Sequence, residues 1–448
     1  MNKMVYLLGA AACMLGWTSM GQAQTASPLI DALVKKGVIT ELEGSQIKKE
    51  INDDWVTQGG SKIDMGSHVK KLKLYGDARF RYQNDTRSTF AAGAGRSNSQ
   101  SRDRYRYRLR IGADYTLSEG FKAGVRLATT GAANSTNNTF NNGYAKDGLF
   151  IDRVFLDWTP QFSWIPNNVE VNLVGGKTGP QFFLDSVNLD SDINFTGTSQ
   201  KITYTGISDF KISLVTAQYI PNALLMDNFT PPAGVDGTWQ IVVQPAVTYS
   251  WEKSHSVTVA PMLLHNVNGS QNNPANPANF LNAGSGVVST AEISVLYLPV
   301  EVKWKAWDQP FKFYYTYSHN FNAGTRDRSL RPAGNGSIMD DASDSHLIGL
   351  AVGSTKKKGG WQIDGFYSYR ELHSVDPLWV DSDWNAAGTN GRGFGIKTGY
   401  AFTDFLVGNI TYLYGEKISD QVGGVPGGAS AGNTNRTSTL QIDLAYKF

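Results

Sequence analysis

Cysteine is almost missing from this 448-residue chain; the one copy, Cys13, lies close to the amino terminus. A disulfide framework is therefore excluded, and no thiol is on offer to nucleophilic or metal chemistry beyond that point. Long apolar runs are missing too. Past the first fifteen residues no stretch approaches the roughly 20 apolar residues a membrane-crossing helix needs. A dominant charge is missing: 41 Lys and Arg stand against 39 Asp and Glu, and a net +2 gives no electrostatic case for a nucleic-acid partner. The six histidines are scattered, with no His-x-x-x-His and no carboxylate cluster at ligand spacing, so no metal site is read. No G-x-S-x-G elbow exists, and no serine is paired locally with a histidine. The glycine-rich run GGVPGGASAG lacks the Lys-Ser/Thr of a phosphate loop and reads as a surface loop. No enzyme, cofactor or metal function is read from the chain.

What is present begins with a targeting pattern. Lys3, the apolar run Met4–Leu15 and the small residues Gly21-Gln22-Ala23 read as a signal peptide over 1–23. A lipoprotein reading of Cys13 is poorly supported, because Ala10-Ala11-Ala12 precede it. Residues 24–68 then read as a periplasmic helical segment and linker. PLIDALVKKGV carries Leu29, Leu33 and Val34 at helical spacing; Thr40 and Glu43 form a capping-box pattern before a second helix; and Asn52–His68 reads as irregular.

From Val69 the helical period gives way to alternation. In DRYRYRLRIGADYTL, residues Tyr105, Tyr107, Leu109, Ile111, Ala113, Tyr115 and Leu117 share one face. Arg104, Arg106, Arg108, Arg110, Gly112, Asp114 and Thr116 share the other. Successive side chains of a strand point to opposite faces, so this is a strand with an apolar wall and a cationic wall. Hydrocarbon on one side and water on the other explains such a pairing. Lys71–Gln83, Phe121–Thr129, Trp239–Trp251 and further runs repeat it, sixteen in all, ending at Ser438–Phe448. The connections alternate between short turns (SEG, ISD, EKS, DQP, TD) and long Gly/Asn/Ser/Asp-rich loops. A soluble sandwich has no reason to sort its loops this way, whereas a transmembrane barrel does. The predicted fold is all-β: a transmembrane antiparallel β-barrel of about 16 strands over 69–448, with short periplasmic turns and long extracellular loops. Tyr and Trp near strand ends read as an interfacial girdle.

The last strand, STLQIDLAYKF, ends with Tyr446 and Phe448 on its apolar face. A terminal phenylalanine on an alternating strand resembles the sorting signal of bacterial outer-membrane proteins. The order of signal peptide, LIDALVKKGVIT helix, LKLYGDARFRYQ and RYRYRLRIGADYTL resembles the "putative porin" family of Gram-negative bacteria across the mature chain.

That resemblance implies an outer-membrane location, a homotrimer, contact with lipid and lipopolysaccharide, and passage of small hydrophilic solutes and ions. The alternation places Arg79, Arg81, Arg104, Arg106, Arg108, Arg110, Lys122, Arg126 and Arg153 on the inner face, a basic wall expected to favour anions. The resemblance further implies that the third long loop folds into the lumen. There it would set Asp185, Asp190 and Asp192 against the arginines, with Phe182, Phe183 and Phe195 packing it to the wall. Two alternatives stay open: a solute-specific channel for phosphate or organic acids, and a structural or adhesive envelope barrel.

Overall fold

The computed structural model describes residues 26–57, 68–90, 97–130, 135–140, 146–222, 238–267, 293–325, 342–381, 383–384, 389–418 and 434–448. The chain divides into two compact units, Met1–Ser67 and His68–Phe448. The signal-peptide segment, residues 58–67 and the glycine-rich run lie outside the described residues.

In the first unit, α1 (Ala26–Lys35) is followed by α2 (Glu41–Thr57). Thr40 caps α2 as its spacing predicts. The Thr40 N–H donates to Glu43 Oε2 at 2.8 Å, and the Glu43 N–H donates to Thr40 Oγ1 at 3.2 Å. Two donors that the helix leaves unpaired are thereby satisfied. Helix α2 continues through Asn52–Thr57, where the polar composition predicts a linker. Ile47, Ile51 and Trp55 recur every four residues and carry the helical period further than the polar composition suggests.

The second unit is a closed sixteen-stranded antiparallel barrel. Its strands are β1 (Val69–Phe90), β2 (Ser97–Leu117), β3 (Phe121–Ala128), β4 (Phe150–Trp158), β5 (Val169–Thr178), β6 (Phe195–Tyr204), β7 (Phe210–Asn222) and β8 (Thr238–Glu252). Next come β9 (His255–Val259 and Met262–Val267, broken at Ala260-Pro261), β10 (Ser294–Ala306), β11 (Gln309–Asn320) and β12 (Asp344–Gly353). The last four are β13 (Trp361–Arg370), β14 (Gly391–Ala401), β15 (Leu406–Lys417) and β16 (Thr434–Lys447). Each pairs with its sequence neighbours, a two-residue rung (Asn138–Thr139) adds to β2, and β1 pairs with β16 to close the ring. Closure of the ring removes the two open edges that an uncurled sheet would present to hydrocarbon.

The chain's last residue takes part in the closure. The Phe448 N–H donates to the Gly76 carbonyl at 3.1 Å, and the Gly76 N–H returns a bond to the Phe448 carbonyl at 3.0 Å. A Cβ on Gly76 would lie 2.4 Å from the Phe448 ring, so only glycine leaves room for that aromatic. Short turns are equally local. Trp307 and Asp308, with φ of 49° and 58°, make the two-residue connection between β10 and β11, a turn that needs positive φ at both positions.

Outside, the barrel is apolar where alternation says it should be. Phe80, Tyr105, Ile111, Ile241, Trp251, Ile363, Ile410, Ile442 and Leu444 are all exposed. Stacked or edge-on aromatic pairs such as Phe121–Trp158, Trp304–Phe311 and Phe405–Tyr446 sit by the short turns.

Two strands outrun their sequence prediction. β1 and β2 stay paired from Asn84↔Asp103 to Phe90↔Ser97, where a long loop was read. The residues there are polar on both faces, so no hydrophobic alternation marks them. Side chains hold that rung instead: Tyr82 Oη donates to Asp103 at 2.7 Å and Asn84 Nδ2 donates to it at 2.8 Å.

Candidate functional site

The inner face of the barrel has two halves of opposite character. On β6–β10 much of it is apolar: Phe195, Val215, Ala217, Tyr219, Val242, Met262, Leu264, Val295 and Tyr297 are buried there, with Gln240, Gln244 and Asn266 among them. Two loops fill that half. The third long loop (residues 179–194) contributes Phe182 and Leu189; the seventh (residues 371–390) contributes Val375, Trp379 and Val380. Phe182 stacks on Trp379 at 5.3 Å between ring centroids, and Phe195 meets the same indole edge-on at 5.1 Å.

The loops also bond to each other. The Asp190 N–H donates to the Trp379 carbonyl at 2.6 Å, and the Asp381 N–H donates to the Val187 carbonyl at 3.1 Å. At the root of the seventh loop, Gln240 Nε2 donates to the fully buried Asp376 at 3.0 Å. Both the third and the seventh long loops thus pack on the inner wall, whereas the loop-length pattern predicts the seventh simply as one of the long extracellular connections. Its sequence signal was there to see. SVLYLPV on β10 is apolar on both faces, and a strand reads that way when both faces are covered, one by lipid and one by protein.

The other half, β13–β16 with β1–β4, is charged. A cavity of about 330 Å³ runs along it, bounded by Arg79, Arg81, Arg108 and Lys397 on one account of charge. Asp190, Asp192, Asp364, Asp381, Asp383 and Asp443 supply the opposite sign.

Nearly every guanidinium of the expected basic wall is engaged. Arg81 forks onto Asp443 at 2.7 and 2.9 Å and reaches Asp383 at 3.0 Å. Arg108 and Arg110 share Asp77, at 2.6 and 2.7 Å, and both approach Asp192, at 3.8 and 3.5 Å. Arg104 pairs with Asp85 at 2.6 Å. Arg106 donates to Gln83 Oε1 at 3.1 Å and Ser135 Oγ at 3.2 Å, and Arg79 to Asn137 Oδ1 at 2.5 Å. Arg126 is ion-paired with Asp152, and Arg153 donates to Asn194 Oδ1 at 2.7 Å. Lys122 lies opposite Asp157 in the β3–β4 register. Buried charges survive only when compensated in this way.

Of the three loop carboxylates, Asp192 meets the arginines. Asp190 lies in the cavity wall and accepts from the Asp192 N–H at 2.9 Å. Asp185 is turned to its own loop, accepting from the Val187 and Asn188 N–H groups at 2.9 and 2.8 Å. Phe182 and Phe195 are buried, the latter as the first residue of β6, while Phe183 is half-buried and holds Gln244 through its backbone.

Asp152 was not foreseen. Strict alternation puts it on the lipid face, opposite in phase to Arg153. A bulge on β4, where Arg126 faces Arg153 but Leu127 faces Ile151, turns Asp152 and Arg153 inward together. Asp381 and Asp383 were missed because they lie on the loop read as external.

A closed barrel with an apolar exterior, an aromatic girdle and a charged passage narrowed by infolded loops defines an outer-membrane channel. The chain belongs to the "Putative porin" family, whose profile matches residues 85–290 and 262–448. Among solved structures it is similar in fold to OprB of Pseudomonas putida at high pH, with 9% identity, 84% of this chain and 94% of that one covered and a TM-score of 0.48. The outer-membrane channel DcaP of Acinetobacter baumannii aligns at 11% identity, covering 87% and 100%, with a TM-score of 0.47. The anion-selective porin of Comamonas acidovorans aligns at 11% identity, covering 84% and 99%, with a TM-score of 0.44. Curated protein sequences give no match.

Proposed function

We propose that the barrel passes small hydrophilic solutes and ions by passive diffusion along its charged half. The observation that carries this is the cavity of about 330 Å³ walled by guanidiniums on β1–β2 and by loop carboxylates facing them. Fixed opposite charges across a narrow, low-dielectric passage make a transverse field. Such a field favours hydrated dipolar solutes and penalises apolar ones.

An anion preference is the finer part of the proposal, and it takes a narrow form. Four cationic and six acidic side chains line the cavity, so the passage is not a positive tube. Preference for anions rests on the guanidinium column of β1–β2 continuing above the cavity through Arg104 and Arg106. Reversal potential across a potassium chloride gradient tests it. Wild type is expected to favour chloride weakly, and Arg106→Ala/Arg108→Ala/Arg110→Ala to shift toward cations. Unchanged selectivity in open channels would make those arginines purely structural. Saturation or block by phosphate or an organic acid would favour a solute-specific channel instead; a folded barrel without conductance would favour a structural envelope role. Export by the 1–23 signal, read from its own residue pattern, and a periplasmic place for 24–68 complete the reading, with homotrimer assembly and lipopolysaccharide contact by resemblance to the family.

A further inference from the structure

Arg370, at the end of β13, is fully buried in the inner wall, yet its contacts are with the loops as much as with the barrel. Its Nη2 donates to the Val187 carbonyl at 3.0 Å and to Asn188 Oδ1 at 3.2 Å, both on the third loop. Its guanidinium lies 4.9 Å from the centre of the Trp384 ring, on the seventh loop. The opposite charges acting on it are Asp185 from the third loop and Asp381 from the seventh. Room for so long a side chain comes from its neighbours: Ser345 lies opposite in the β12–β13 register, and Ser368 is two residues back on the same face, both essentially inaccessible.

A buried guanidinium is costly, and an apolar residue would pack an inner wall more cheaply unless the charge holds something in place. Val187 joins this connection to the loop-to-loop bond, since its carbonyl accepts from both Arg370 and the Asp381 N–H. We propose that Arg370 is the positioning residue that pins both luminal loops to the wall at once, so that the bore is set by this pin rather than by the diameter of the barrel. The inference rests on the channel reading above.

The test combines Arg370→Met with a reporter thiol at Val187→Cys, a near-isosteric change at a site 1% exposed. Wild type should keep that thiol protected from a charged methanethiosulfonate reagent. Arg370→Met should expose it and raise single-channel conductance severalfold with added current noise, while the folded barrel keeps its heat-modifiable migration. Arg370→Lys, which restores the charge without the planar guanidinium, should recover part of the protection. Wild-type conductance and a protected thiol in Arg370→Met would overturn the proposal. Should Arg370→Met fail to fold, Asn188→Ala and Trp384→Leu each remove one loop partner; both behaving as wild type would overturn it equally. A wild-type barrel that folds but does not conduct would sink the channel reading alone, because thiol protection still reports on the pin.

Discussion

Asp77 holds two guanidiniums at once, Arg108 and Arg110, and so decides how much of the basic wall acts as free positive charge. Charge-assisted pairs of this kind are strong, but here their larger effect is on selectivity. Asp77→Asn should shift the reversal potential toward chloride, since both arginines then face the passage less compensated. A shift toward potassium, or none, would show that the column does not set selectivity. That these arginines share one face was legible from the sequence, because β1 and β2 pair without a register shift from Lys71 to Ser88. How far they would be neutralised was not. Asp77 and Asp443 lay in the pattern, but Asp152 is reached only through a bulge and Asp383 only through a loop. Alternation carries information about faces and none about irregular backbone.

At the scale of single elements, the capping box and the seventh loop make separate claims. The Thr40 backbone N–H, and then the Thr40 hydroxyl, hold the Glu43 carboxyl below its ordinary range. A depressed folded value means the contribution to α2 is present above the ordinary glutamate range and is lost as pH falls through the folded value. The Glu43 carboxyl shift, followed by NMR, should therefore titrate low in the full chain and rise only part of the way toward the ordinary range in Thr40→Ala, which removes the hydroxyl but keeps the backbone N–H. The seventh loop is also packed by Trp379, which is 2% exposed among Phe182, Phe195 and Tyr297. Truncating a buried tryptophan forfeits about 3–5 kcal/mol of packing. Trp379→Ala should release that loop and raise conductance and the size of solute admitted in liposome swelling. No change in either would remove the loop from the constriction. The loop was hidden in the sequence because its apolar residues, Val375, Leu378, Trp379 and Val380, are interspersed with Asp and Pro and carry no period. Its partner surface was visible, as the double-sided apolar character of β10.

Across the whole molecule, one sheet meets two solvents and one core. Its exterior is dressed for hydrocarbon. Part of its interior is packed as a hydrophobic core by two loops, and the other part encloses a cavity lined with charged side chains. The barrel class and strand count followed from sixteen alternating runs and the sorting of short and long connections, which are global regularities that survive local irregularity. The division of the interior did not follow, because it depends on contacts between loops and strands far apart in sequence. The measurement that tests the account most directly is single-channel recording of the purified, folded protein in a planar bilayer across a series of potassium chloride concentrations. Discrete, long-lived openings whose conductance rises steadily with salt are the predicted result. A barrel that runs as folded on a heat-modifiability gel and inserts into the bilayer, yet passes no current, would contradict it.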